Sequence, residues 1–150
     1  MKNEKLKTGF TLIEIMVAIG IMIALSSISW VGLKSLQPSL ALSSVSRDLT
    51  TDLRMTQQLT ITEQINHGIF FNTLSNSYRI EKFSTETIIL TTKQLPTGIT
   101  FCGITGLLDD YVVFNPYGSV AYSGSVCLVN SKGQSKIIDI KPSGFVKIQN

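Results

Sequence analysis

The sequence predicts an α+β protein: one long N-terminal helix, its first half suited to a membrane, followed by an antiparallel sheet or two packed sheets. Three observations carry this. A run of 24 residues from Phe10 to Leu33 holds a single charge, Glu14. Residues 34–66 repeat apolar side chains at helical spacing. After Gly68 the period shortens, and short β-branched and aromatic runs alternate with Gly, Pro, Asn and Ser.

The apolar run comes first. Lys2, Lys5 and Lys7 precede it, and Lys34 closes it. As a helix it spans roughly 36 Å against a hydrocarbon core of ~30 Å. Basic residues before such a run and an exported domain after it fit the positive-inside rule. Glu14 is the anomaly, because a carboxylate within a spanning segment costs a few kcal/mol (about 3) and marks a functional position. A cut after Gly9 places a free α-amine on Phe10 one helical turn from Glu14, where acid and amine attract in a low dielectric.

The run leads into a second helical stretch. Pro38 lacks an N–H and restricts Gln37, so a bend or break is expected between Gly32 and Pro38. Beyond it Leu42, Val45, Leu49 and Leu53 form one stripe, with Arg47, Asp48, Asp52 and Arg54 off it. The stripe is read as a docking face for the following sheet. Gly68 is the expected C-terminal cap, next to His67 in a capping or surface role.

The expected strands are 69–71, 78–83, 87–92, 99–102, 111–114, 120–122, 125–129, 136–140 and 145–149, with 72–77 and 103–110 as loops. Short local connections favour antiparallel pairing over parallel crossovers.

Gly9-Phe10-Thr11-Leu12-Ile13-Glu14, with a basic leader before it and an apolar helix after it, resembles the class III signal of type IV pilins and type II secretion pseudopilins. The resemblance implies cleavage between Gly9 and Phe10 by a prepilin peptidase, N-methylation of Phe10, and a role for Glu14 in assembly. An ordinary secretory signal cut after Ser26, or an uncleaved anchor, leaves the Gly-Phe junction and the buried acid without a reason. Leu95-Pro96-Thr97-Gly98-Ile99, Val113-Phe114-Asn115-Pro116-Tyr117-Gly118 and Gly144-Phe145-Val146-Lys147 extend the resemblance to the GspH/FimT group of minor subunits. The implied organisation is a leader over 1–9, a transmembrane and filament-core helix over 10–33, the second half of the helix over 34–66, and a periplasmic β-rich domain over 67–150.

Composition narrows the alternatives. The net charge of +3 lies mainly in the leader; past Gly9 there are 10 basic and 9 acidic side chains. A nearly neutral chain is not a strong electrostatic nucleic-acid binder. Cys102 and Cys127, both in the exported part, predict a disulfide over the alternative of two buried thiols. Two cysteines and one histidine make no zinc site. Asp109-Asp110 reads as a solvated turn. With no nucleophile elbow, phosphate loop or metal-ligand spacing, no enzyme activity, cofactor, metal or small-molecule substrate is expected.

The expected function is a minor subunit that initiates or tips a type II secretion pseudopilus or a type IV pilus. Its partners are the inner membrane, the prepilin peptidase, other pilins or pseudopilins, and the assembly platform. The alternative is a DNA-uptake minor pilin. In some competence members of the resembled group a Gly-Arg-x-Arg-like element is linked to DNA binding. Here Phe145 and Lys147 stand at its two arginine positions, leaving Lys141 and Lys147 as candidate contacts. Lysines at solvated strand edges also discourage aggregation.

Overall fold

The computed structural model describes residues 9–149, and within the helix the side chains of 27–35 lie outside the description. A single helix α1 (Leu12–Glu63) is followed by β1 (His67–Asn72), β2 (Ser77–Phe83), β3 (Thr87–Gln94), β4 (Ile99–Thr105), β5 (Tyr111–Phe114), β6 (Gly124–Asn130), β7 (Ser135–Ile140) and β8 (Val146–Gln149). The strands form two four-stranded antiparallel sheets, in the orders β3-β2-β1-β5 and β4-β6-β7-β8. The chain divides into two compact units between Gln37 and Pro38.

The core of the second unit follows from periodicity. Leu42, Val45, Leu49 and Leu53 of α1 are buried, as their spacing requires. They meet Ile69, Phe71, Ile80, Val112 and Phe114 of the first sheet, and Val126, Leu128, Ile138, Ile140 and Val146 of the second. Alternation is clean along β5 and β6. Burying each of these side chains stabilises the fold by about 1.5–3 kcal/mol. Toward its C-terminal end the helix buries hydroxyls instead: Ser46, Thr50, Thr56 and Thr60. Each donates to the carbonyl four residues back, at 2.7–2.9 Å, so none is left unsatisfied. Small side chains here let the helix lie close to the sheets.

Cys102 and Cys127 are joined, with Cα atoms 5.1 Å apart, and staple β4 to β6. The β4–β6 register shifts between Phe101 and Gly103, so Cys102 is the bulged residue opposite the Gly103–Cys127 pair.

Four expectations are corrected. Of the bend or break expected between Gly32 and Pro38, the break is absent, since Pro38 sits inside α1; one lost N–H does not by itself stop a helix. The helix ends at Glu63, with Gln64 taking the left-handed conformation (φ 55°). Gly68 is therefore not its cap. It lies in β1, where a Cβ would stand 2.7 Å from the Val112 carbonyl and 3.0 Å from the Phe83 ring. Residues 120–122 form no strand; Val120 makes an isolated bridge to Phe114 and donates its N–H to Pro142 O at 3.1 Å. Residues 103–105, expected in a loop, extend β4.

Candidate assembly site

At the N-terminal end Gly9 and Phe10 precede the helix, and Phe10 is 81% exposed. Thr11 is the cap: its Oγ1 accepts from Glu14 N–H at 3.3 Å, and its carbonyl from Ile15 N–H at 3.3 Å. The Thr-x-x-Glu spacing is that of a capping box. Glu14 thus lies in the first turn, where the helix dipole favours a negative charge.

From Gly9 to Ser26 every residue is exposed. Leu12, Ile13, Met16, Ile19, Met22, Ile23 and their neighbours make an apolar surface all around this segment. A helix apolar on all sides needs lipid or other helices around it. Among the described residues, no helix is long and apolar enough to cross a membrane. The expected crossing over 10–33 extends into residues whose side chains lie outside the description, and the leader over 1–8 lies outside it altogether.

In the second unit the last two of the closing motifs, 113–118 and 144–147, come together. Asn115 Oδ1 accepts from Tyr117 N–H (3.0 Å) and Ser119 N–H (3.2 Å), fixing the turn that holds Tyr117 exposed. Gln57 Nε2 donates to Gly118 O at 2.6 Å, and Arg54 Nη2 to Val146 O at 3.2 Å. Gly144 (φ 79°) is pressed so closely on Gly118 that a Cβ would lie 2.0 Å from its carbonyl. These glycines therefore close two loops onto the helix; their role is packing. The sequence reading missed Arg54 and Gln57. Their signal was faint: Arg47 and Arg54 lie seven residues apart, two turns, on one flank of the helix.

Polar anchors tie the helix to the first sheet. Asp52, expected off the buried stripe, is only 5% exposed. It accepts from Tyr78 Oη at 2.6 Å and pairs with Lys93 Nζ at 2.7 Å. Burial first, then the Asp52 charge, pushes the Tyr78 phenol well above its ordinary range, so it stays a donor. On the other face of β2, the buried Glu81 pairs with Arg79 and accepts from Tyr111 Oη at 3.2 Å, while Arg79 stacks over Phe70 at 4.4 Å.

His67, expected at the surface or as a cap, is fully buried. Its Nδ1 lies 2.8 Å from Ile65 O and its Nε2 3.4 Å from Glu63. Starting a strand next to the helix end brought it inside. Lys82 also bonds Glu63, at 2.6 Å, and holds that carboxyl below the ordinary range. Asp109 and Asp110 both have positive φ, and Tyr111 N–H bonds Leu108 O at 2.9 Å. The acidic pair is the centre of a tight hairpin turn, a conformation aspartate tolerates. Lys141 is ion-paired with Asp139 at 2.7 Å, and Lys147 faces the same aspartate across the β7–β8 ladder.

The N-terminal helix followed by two antiparallel sheets is an α+β, pilin-like fold. Residues 5–30 match the family pattern described as the prokaryotic N-terminal methylation motif. Among solved structures, the chain is similar to the minor pseudopilin EpsH from the type 2 secretion system of Vibrio cholerae. The TM-score is 0.63 at 8% identity, covering 72% of this chain and 95% of that one. It is also similar to the type IV minor pilin FimU of Pseudomonas aeruginosa, with a TM-score of 0.61 at 11% identity, covering 73% and 88%. No curated protein matches the chain in sequence. The chain thus unites a methylation motif with the fold of minor pilins and pseudopilins; it resembles structural subunits and not an enzyme.

Proposed function

We propose that the chain is a minor pilin or pseudopilin that enters the inner membrane as a precursor and is then drawn into a filament. In this reading the prepilin peptidase cuts between Gly9 and Phe10, and Phe10 is N-methylated. The helix from Phe10 to about Leu33 spans the bilayer and then packs among neighbouring helices, with the domain in the periplasm. The observation that carries the reading is the junction of two features: a methylation motif over residues 5–30, and an apolar segment exposed on every side that leads into a minor-pilin fold. Moving such a segment from lipid to a helix bundle keeps its surroundings apolar, so extraction does not expose it to water.

Glu14 has a defined task in this scheme. In a packed helix core its carboxylate needs a cation, and the α-amine of a neighbouring Phe10 supplies one, which selects one axial register. Glu14→Ala then leaves cleavage intact but lowers the amount of subunit in sheared filaments; wild-type incorporation removes Glu14 from the mechanism. Deleting the gene distinguishes the machines: lost exoprotein secretion assigns a type II pseudopilus, lost twitching or adhesion a type IV pilus. A deletion strain with normal secretion and normal pili contradicts the proposal. The alternative of DNA contact through Lys141 and Lys147 has less support, since Asp139 holds Lys141 and stands opposite Lys147.

A further inference from the structure

A cleft of about 390 Å³ separates the flank of α1 from β8, the open edge strand of the second sheet. Arg47 and Arg54 line it from the helix, and Phe145, Lys147 and Ile148 from the strand. Its charged side chains on the helix side, Arg47 and Arg54, are both cations, whereas Lys147 alternates with buried Val146 and lies on the outer face of the sheet opposite Asp139. Among the described residues, neither arginine has a carboxylate within ion-pair distance. Cations held together without a counter-charge favour an anionic occupant.

The backbone of β8 adds direction. Lys141 N–H bonds Phe145 O. The two-residue alternation then turns the backbone of Lys147 toward β7 and that of Val146 and Ile148 toward the open edge. In keeping with this, Val146 O accepts from Arg54. An arginine thus stands where the N–H of an added strand would bond.

We propose that this cleft receives an extended acidic segment of a partner subunit, which adds to β8 as a further strand and sets its carboxylates against Arg47 and Arg54. Val146 O exchanges Arg54 for a backbone N–H of the incoming strand, and the released guanidinium takes a carboxylate in a charge-assisted bond. A polypeptide fits this edge better than a nucleic acid, because the outward groups of Val146 and Ile148 include donors and acceptors in strand register. A phosphate backbone offers acceptors alone. The proposal rests on the subunit reading and names the chemistry of one partner.

The test is fluorescence anisotropy of the detergent-solubilised full chain with a labelled peptide of alternating Glu and Thr at low salt. The expected result is saturable binding that falls about tenfold with Arg47→Glu or Arg54→Glu, in variants whose circular dichroism matches the parent. The same peptide with N-methylated backbone amides loses binding by a similar factor, and an alternating Lys–Thr peptide does not bind. Absence of binding, or equal binding of the N-methylated peptide, overturns the proposal. So does a DNA oligonucleotide that binds as tightly as the acidic peptide and depends equally on Arg47, which makes the cleft a nucleic-acid patch. Failure here leaves cleavage at Gly9 and filament incorporation intact; those are read separately in cells.

Discussion

From Leu12 to Ser26 every residue of α1 is exposed, and all but Glu14 and a few small residues are large and apolar. From Leu42 to Thr60 the same helix is amphipathic: its apolar and hydroxyl face is buried, while Arg47, Asp48, Thr51 and Arg54 stay outside. One backbone geometry thus serves two environments, and only the side chains tell them apart. The second segment is completed by its own chain. Among the described residues the first stays uncovered; in the function proposed above, lipid or other subunits cover it.

This contrast is sharpest where the chain closes on the second segment. Gly144→Val forces a Cβ into the Gly118 carbonyl at a positive φ. It should destabilise the domain by about 4 kcal/mol, combining strain with overpacking; chemical denaturation of the purified chain reads this directly. Leu53→Ala empties a fully buried site on the docking face, with an expected loss of about 2–5 kcal/mol. Tyr78→Phe removes one donor from the buried Asp52 and should cost about 1–2 kcal/mol, because Lys93 still neutralises the acid. In the first segment the effect inverts. Ile19→Ala should change domain stability by no more than about 0.5 kcal/mol while reducing filament incorporation. A stability loss as large as that of Leu53→Ala would erase the distinction between the segments.

The smallest expected effect is with pH. Lys82 lowers the folded-state Glu63 pKa. A depressed carboxyl contributes stability above its unfolded pKa and loses it as pH falls through the folded value. Lys82→Ala should therefore flatten the acid limb of the stability curve slightly, since this carboxylate is exposed and water screens its pairing. A steeper limb in that variant would contradict the assignment.

Residues 9–14 were legible because their message is chemical: a glycine, an aromatic and a lone acid at the start of an apolar run. The sheets were legible because short β-branched and aromatic runs are separated by Gly, Pro, Asn and Ser. The helix end was misread because glycine suggests a cap, whereas Gln64 adopted the left-handed turn and Gly68 was needed for close strand approach. Asp52 and His67 were misplaced for a common reason. Their burial depends on Tyr78, Lys93 and Glu63, partners that only the fold brings near. Arg54 reaches Val146 of β8 across 92 residues of sequence through the β7–β8 return, which no local pattern reveals.

The central claim is that Phe10 becomes the first residue of a subunit whose apolar helix is meant for neighbours. Intact-mass and N-terminal fragment analysis of the native protein, from cells that carry the assembly machinery, tests it most directly. The account predicts a chain beginning with N-methylated Phe10. A mature chain beginning at Ser27, or one that retains Met1, contradicts it.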